Sequence, residues 1–204
     1  MVTVTSSLNR VLGTLNPIRL LSVALVAFAV SAISPAIAQT ASAEKTEQAA
    51  SQSNDQAWQA FLPSARKVGE GQFRRWGFLV YDATLWSATD QYRPNQPFAL
   101  SLTYARSISR DQIVDASIDQ MAELGIKVDQ HPEWRKKLQN VFVDVSEGDS
   151  LTGVYTPSQG AVFYAGDRLT GQVDESLAKA FFAIWLDPNT TEPDLRLSLL
   201  GQSQ

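Results

Sequence analysis

The sequence contains no cysteine and only one histidine among its 204 residues. Without cysteine there is no disulfide, no thiolate nucleophile and no zinc–thiolate site. The single histidine, His131, cannot organise a metal site by itself, and no Gly-x-Ser-x-Gly motif provides the serine of a hydrolase triad. We therefore predict no metal, no cofactor and no catalytic residue of these types.

An excess of basic residues is also missing, since 17 lysines and arginines face 21 acidic residues, a formal net charge of −4. Proteins that bind nucleic acid need a basic surface for the phosphates, so we expect no nucleic-acid partner. The hydrophobic content of 44% is typical of a globular domain and too high for a disordered chain.

The N-terminal segment has the layout of a secretory signal peptide. Arg10 and Arg19 precede an apolar run over residues 20–30, and Ser34–Ala38 places small residues at positions −3 and −1 of a cut after Ala38. A membrane span needs roughly 20 apolar residues, so this run predicts cleavage rather than an anchor, with no span afterwards. The mature protein would be periplasmic or secreted, with 15 basic and 21 acidic residues and a net charge of −6.

The organisation after the signal peptide (1–38) follows from composition and periodicity. Residues 39–54 are small, polar and aperiodic, which predicts a flexible linker before a folded domain at 55–204. Alternation of apolar residues from 68 to 88 predicts one central strand with its aromatics in the core, and Arg74 and Arg75 on opposite faces of it.

A second strand is predicted from Phe98 to Arg106, with Tyr104 and Arg106 on its apolar face. Two helices follow, the first opened by a capping box at Ser109–Gln112 and stopped by Gly125. Further predicted elements are strands at 150–155, 160–164 and 168–173, a helix from Asp174 to about Leu186, and a short helix at 193–200. Short turns between successive strands imply an antiparallel sheet with helices on one face, an α+β fold.

Several segments resemble the chalcone isomerase-like family, in particular its bacterial branch. They are Gly69-Glu70-Gly71, Gly77–Trp86, Asp144–Asp149, Phe163–Gly166, Ala180–Pro188 and Leu195–Gly201. The resemblance covers residues 66 to 201 and rests on the order and spacing of these segments together. It implies an antiparallel β-sheet backed by a layer of helices, in agreement with the pattern of elements.

The resemblance does not carry the family's enzyme chemistry across. Plant chalcone isomerases close a flavanone ring by attack of a phenolate on an enone, using an arginine, a threonine, a tyrosine and an asparagine. Counting along the motifs places these positions on or near Phe73, Trp76, Ser109 and Ala116. Donors aimed at the developing enolate charge are therefore not reproduced. An isomerase (intramolecular lyase) acting on an unknown enone-like substrate is retained as an alternative.

Other members of the family bind fatty acids, with an arginine and a tyrosine that hold the carboxylate at the end of an apolar cleft. Tyr104 and Arg106 offer such a pair, because a guanidinium group matches a carboxylate well. Arg74 and Arg75 are further ligand-binding candidates. The alternatives are that Arg106 leaves the sheet to pair with Asp111 or solvent, and that the two adjacent arginines lie over aromatics at a solvated edge.

Three functions are therefore consistent with the sequence. The first is an exported, non-catalytic protein that binds a small apolar ligand with an anionic head, such as a fatty acid. The second is the isomerase, and the third is a structural or interaction module without a ligand pocket. A pocket above about 300 Å³ with an inward arginine would favour the first two, and a solid core the third.

Overall fold

The structure, a computed structural model, describes residues 57–202. The predicted signal peptide (1–38) and linker (39–54) lie outside the described residues. The part of the chain described contains no helix that is both long enough and apolar enough to cross a membrane.

A single six-stranded sheet forms the centre of the fold, and its strands follow one another in chain order. Each strand is antiparallel to its neighbours. The strands are β1 (Arg66–Arg75), β2 (Phe78–Ser87), β3 (Phe98–Tyr104), β4 (Ser150–Thr156), β5 (Gly160–Ala165) and β6 (Arg168–Val173).

Within residues 57–202 the sheet is accompanied by four α-helices: α1 (Arg110–Glu123), α2 (Glu133–Val141), α3 (Glu175–Leu186) and α4 (Pro193–Leu199). The first two connect β3 to β4, and the last two follow β6. Short 3-10 helices lie at Ala57–Phe61 and Val128–Gln130. The prediction of an α+β fold with an antiparallel sheet is confirmed.

Two helices begin at the residues that the sequence predicts, and capping hydrogen bonds are present at both starts. Ser109 Oγ accepts a hydrogen bond from the backbone N–H of Gln112 at 3.3 Å, and Gln112 Oε1 accepts from the backbone N–H of Ser109 at 3.0 Å. Asp174 Oδ1 likewise accepts from the N–H of Leu177 at 3.1 Å. These side chains satisfy amide groups that have no partner inside their own helices, and so fix where α1 and α3 begin.

The two faces of the sheet differ in what covers them. The helix-covered face carries the main core, where Ala83, Leu85 and Leu100 are buried against an aromatic group from α3. A smaller cluster on the other face includes Trp58 of the first 3-10 helix and Ala99 of β3. Burial on both faces explains why β2 and β3 read as near-continuous apolar segments.

The segment predicted as one central strand is instead a hairpin. β1 and β2 pair from Arg66–Ser87 to Arg75–Phe78, and the turn consists of Trp76 and Gly77. Both turn residues have positive φ, 51° and 82°, as a type I′ turn requires. The prediction was wrong because Trp-Gly lacks the asparagine or aspartate that normally marks such a turn. β1 is therefore an edge strand.

The Gly69-Glu70-Gly71 sequence allows α4 to approach β1 closely. A Cβ atom at Gly69 would lie 2.2 Å from the carbonyl oxygen of Ser198, and one at Gly71 would lie 2.8 Å from Cδ1 of Leu195. Real side chains do not tolerate such distances, so only glycine permits this contact. The C-terminal helix thus packs directly on the first strand.

Candidate functional site

A partly open, mostly apolar cavity of about 120 Å³ lies between the helix-covered face of the sheet and helices α1 and α3. Its lining residues are Phe73, Val80, Tyr81, Leu100, Leu102, Tyr104, Ile108, Gln112, Ile113, Ala116, Ser117, Gln120, Phe142, Leu151, Gly153, Phe163, Phe181 and Trp185. Among these described residues there is no charged side chain. The volume lies below the roughly 300–1,000 Å³ of typical ligand pockets. An inward arginine, which we expected of a binding protein or an enzyme, is not among the lining residues.

Two tyrosines from the sheet contribute hydroxyl groups to this cavity. Tyr81 of β2 and Tyr104 of β3 are directly opposite in the strand register, and their rings meet edge to face at 5.9 Å. Both are buried, with 8% and 4% of their surface exposed. Adjacent strands of an antiparallel pair thus bring two phenols to one place on the helix-covered face.

The two hydroxyl groups differ in their hydrogen bonding. Tyr81 Oη accepts a hydrogen bond from Trp185 Nε1 at 3.0 Å, which orients this phenol and leaves its own proton to donate. The Tyr104 hydroxyl has no hydrogen-bond partner within residues 57–202. Among the described residues it is the cavity hydroxyl that is left without a partner, so it is available to a ligand atom that enters the cavity.

Burial keeps both phenols neutral. Desolvation raises the pKa of the Tyr81 hydroxyl far above its ordinary value of 10.0, an effect that the hydrogen bond from Trp185 only partly offsets. Desolvation alone raises the pKa of the Tyr104 hydroxyl in the same direction. Near neutral pH the cavity therefore offers two O–H donors and no ionised group.

Helix α1 forms the polar rim of the cavity. Gln112 and Ala116 are exposed and Gln120 is half-buried, although all three also line the cavity. The Oε1 atom of Gln112 is used in the capping box, whereas its amide nitrogen is not hydrogen-bonded to any described residue. Ser117 donates to the carbonyl of Ile113 at 2.8 Å and so is satisfied within its own helix.

The predicted site residues do not come together in the cavity. Tyr104 lines it, but β3 ends at Tyr104 and the chain then bends, so Arg106 lies on the surface, outside the cavity lining. Its guanidinium makes no ion pair among residues 57–202, and Asp111 pairs with Arg110 at 3.3 Å.

Arg74 and Arg75 lie near the β1–β2 turn and do not line the cavity either. The guanidinium of Arg74 donates to Gln72 Oε1 at 2.9 Å, and that of Arg75 lies over the ring of Trp76, 5.1 Å from its centroid. The ligand-binding role of these arginines stays a prediction.

Sequence reasoning missed Tyr81 as a partner of Tyr104. Its position between Ala83 and Leu79 on the apolar face of a strand was visible, but its pairing with Tyr104 depends on the register between two strands. Phe181 and Trp185 of α3 belong to the hydrophobic core and also line the cavity. No group of acidic or histidine side chains in the described ranges is arranged to hold a metal ion.

A second, shallower cleft of about 330 Å³ is formed in part by Tyr92, Phe98 and Lys179. The Lys179 ammonium lies 2.9 Å from Glu175 Oε1, and the Tyr155 hydroxyl contacts the same carboxylate at 3.2 Å. The cation of this cleft is therefore already paired, and we take the cavity between the sheet and the helices as the better candidate site.

The fold and the cavity together define a class of protein: an antiparallel sheet backed on one face by helices, with an apolar cavity between the two layers. The profile of the chalcone isomerase-like family matches residues 68–201. The protein belongs to the chalcone isomerase-like family, as its sequence motifs predict.

The chain is similar to two known proteins, one in sequence and one in fold. An uncharacterized protein of Haemophilus influenzae is 30% identical over 139 residues, which span 67% of this chain and 68% of that protein. The crystal structure of a fatty-acid binding protein of Arabidopsis thaliana is similar with a TM-score of 0.54 and 10% identity, over 68% of this chain and 87% of that one. At that identity the likeness shows the fold alone.

Proposed function

We propose that this protein is a non-catalytic binder of a small apolar or amphipathic molecule, such as a fatty acid, held in the cavity between the sheet and α1. The observation that carries this proposal is the hydroxyl of Tyr104, which has no hydrogen-bond partner among the described residues and lies in a mostly apolar cavity. A hydrogen-bond donor surrounded by hydrocarbon suits a ligand with an apolar body and one acceptor atom. The family and its fatty-acid binding structural neighbour support the proposal.

The acceptor end of the ligand lies between Tyr104 and Tyr81 in this proposal. No cation is present among the described lining residues, and a carboxylate buried without one carries a large desolvation cost. A fatty acid therefore enters as the neutral acid, and an ester or an aldehyde serves as well. The predicted role of Arg106 applies only to a head group that extends out of the cavity beyond Tyr104.

The size of the cavity favours a short ligand. A volume of about 120 Å³ has no room for a long acyl chain unless α1 or the side chains beneath it move. We therefore expect affinity to be greatest for chains of a few carbons. A series of fatty acids of increasing length measures this, and a preference for long chains would mean that the cavity opens on binding.

The absence of catalysis in this proposal is supported by what occupies the enzyme positions implied by the family. Phe73 stands where the enzymes use an arginine, and its ring stacks on Tyr81 at 5.0 Å. Ala116 lines the cavity without a polar group, and Trp76 lies exposed at the hairpin turn. Preorganised donors for an enolate are the main requirement of the isomerase reaction, and these residues do not provide them.

The deciding experiment is native mass spectrometry of the full chain, purified without detergent and titrated with butanoic acid and methyl butanoate. We expect both to bind, Tyr104→Phe to weaken both about tenfold, and Arg106→Ala to change neither. Leu169→Ala, at an exposed site on β6 away from the cavity lining, is the matched control. The absence of an adduct with either ligand would overturn the proposal. Loss of butanoic acid binding alone in Arg106→Ala would show that the arginine, and not Tyr104, binds the head group.

We also propose that the protein acts after export, on the basis of the signal-like residues 1–38. The mass of the protein recovered from the cell distinguishes the possibilities. A mature N-terminus at Gln39 supports export, and an intact N-terminus in a soluble cell fraction overturns it.

A further inference from the structure

The turn of the first hairpin exposes two large aromatic side chains. We define the hairpin tip as residues Arg74–Phe78, which join β1 to β2. Trp76 is 87% exposed and Phe78 is 67% exposed, the two highest values among the large exposed apolar residues. An exposed aromatic pair has no role in the core and points to an interaction surface.

The backbone at Trp76 supports a functional origin for this exposure. Its φ of 51° is in the left-handed region, where a residue with a bulky Cβ is strained. Asparagine or glycine would satisfy the same turn without strain and without exposing an indole. A strained and solvent-exposed tryptophan weakens the fold locally, which is typical of residues kept for binding.

Three arginines lie at the same end of the sheet. Arg74 and Arg75 are the last two residues of β1, directly before the turn. The backbone N–H of Ala105 donates to the carbonyl of Val80 at 3.0 Å, so Arg106 follows directly beside β2. The hairpin tip contains no acidic residue. Asp82 of β2 is connected to Arg74 through Gln72, which donates to its carboxylate at 2.9 Å. Further acidic residues at this end lie in the loop Asp144–Asp149, beyond β3, where the N–H of Tyr104 donates to the carbonyl of Asp149. The basic group is therefore local to the β1–β2 corner of an otherwise acidic protein.

We propose that the hairpin tip docks on the surface of a phospholipid bilayer that contains anionic lipid. Tryptophan prefers the boundary between head groups and acyl chains, where its apolar ring is buried and its N–H stays in a polar layer. Phe78 adds apolar area beside it, and the guanidinium groups of Arg74, Arg75 and Arg106 pair with lipid phosphates.

The dimensions of the tip favour a bilayer over a folded protein partner. A stable protein interface buries about 1,200–2,000 Å² in total, which two aromatic side chains and three arginines do not supply. A bilayer needs only a small apolar insertion together with several cations, since each basic residue near an anionic surface adds to the attraction. The docking is independent of the cavity and does not require that the proposed ligand exists.

A site-specific probe tests the proposal in the full chain. Because the protein has no cysteine, Phe78→Cys can be labelled alone with an environment-sensitive nitrobenzoxadiazole dye while Trp76 stays in place. Leu169→Cys is the matched control, since Leu169 is also an exposed apolar residue, 54% exposed, on the strand at the opposite edge of the sheet. The probe reports the tip itself, whatever the N-terminal residues do.

Vesicles of equal parts phosphatidylglycerol and phosphatidylcholine should raise the emission of the dye at position 78 and leave that at position 169 unchanged. Arg74→Gln with Arg75→Gln should weaken the response on these vesicles about 25-fold, or about fivefold for each arginine. Trp76→Asn should weaken it at least tenfold and keep or raise the melting temperature, so that loss of binding is not loss of folding. Pure phosphatidylcholine should give a much weaker response.

Equal responses at positions 78 and 169 would overturn the proposal. It would also fail if Trp76→Asn bound as well as the original chain. A rise in emission on raising the protein concentration without vesicles, abolished by Trp76→Asn, would show that the tip instead contacts a second copy of the chain.

Discussion

Trp185 Nε1 donates a hydrogen bond of 3.0 Å to the hydroxyl of Tyr81, and so joins the last turn of α3 to β2 across the wall of the cavity. Both residues are buried, with 6% and 8% of their surface exposed. The contact ties two segments that lie 104 positions apart in the chain. It therefore contributes to stability as well as to the shape of the cavity.

Tyr81→Phe should lower the free energy of unfolding by about 1–3 kcal/mol, because the indole N–H would stay buried without an acceptor. Urea denaturation measures this loss. Tyr104→Phe is the matched control: its hydroxyl has no partner among the described residues, so we expect a change within about 0.5 kcal/mol. If the two variants are equally destabilised, the Tyr104 hydroxyl has a structural partner and is not free for a ligand.

Ligand binding should depend on pH through the ligand rather than the protein. Burial raises the pKa of Tyr104 above its ordinary value of 10.0, so this donor stays protonated from acid up to that pH. A fatty acid ionises with a pKa of about 4 to 5, as carboxyl groups do. Its affinity should then fall about tenfold for each pH unit above that value, whereas that of the methyl ester should stay constant. Isothermal titration at several pH values compares the two, and equal pH profiles would contradict a neutral cavity.

Gly69→Ala should destabilise the fold by more than about 2 kcal/mol, since the added Cβ would lie 2.2 Å from the Ser198 carbonyl oxygen and 2.6 Å from that of Leu199. Both neighbours are backbone atoms and cannot rotate away. Glu70→Ala, on the next residue of the same strand, is the control, and we expect a small effect there because the Glu70 side chain is exposed. Thermal unfolding of both variants gives the comparison, and a neutral Gly69→Ala would mean that α4 is not seated on β1.

Trp76→Asn should raise the free energy of unfolding by about 1 kcal/mol, because asparagine adopts a positive φ more readily than tryptophan. Chemical denaturation measures the gain. Phe78→Ser serves as the comparison, since it removes an exposed aromatic without altering the turn. If both variants gain stability, the gain would come from removing exposed apolar surface and not from relieving backbone strain.

Acid should weaken the start of α3. The hydrogen bond from Lys137 Nζ, 2.6 Å long, lowers the pKa of Asp174 below its ordinary value of 3.8. Because folding lowers this pKa, its contribution is fully present above about pH 4 and is lost as the pH falls through the folded value. Since the pair is exposed, we expect no more than about 1 kcal/mol.

Asp174→Asn isolates this contribution, because asparagine retains the cap but has no charge. The stability of the original chain should exceed that of the variant at neutral pH, and the difference should vanish at about pH 2. A difference that persists in acid would assign the effect to the cap and not to the ion pair.

The local chemistry of the sequence predicted much of the fold. The capping residues Ser109 and Asp174 gave the starts of α1 and α3, and the three strands from 150 to 173 were placed within a residue or two. These signals are carried by neighbouring residues, so they could be read from the chain itself. The Trp76–Gly77 turn could not, because a tryptophan in the left-handed region gives no turn signal.

The sequence predicted less of the candidate site than of the fold. Tyr104 was predicted on an apolar strand face and lies there, but the alternation that placed Arg106 beside it continues past the end of β3. Where a strand ends depends on its partners, and β2 and β4 stop pairing with β3 at Tyr104 and Thr103. The contacts among Tyr81, Tyr104 and Trp185 depend on the register between two strands and on the position of a helix. The sequence alone gives neither.

The contact between α4 and β1 joins an early segment of the domain to a late one, so it forms late during synthesis. Each strand pairs with the strand that follows it in the chain, so the sheet can form strand by strand as synthesis proceeds from β1 to β6. β1 also packs against α4, residues 193–199, which is synthesised after all six strands. Until α4 has been made, the surface of β1 at Gly69 and Gly71 has no helix packed on it, so a nascent chain that ends before α4 does not reach the stability of the folded domain.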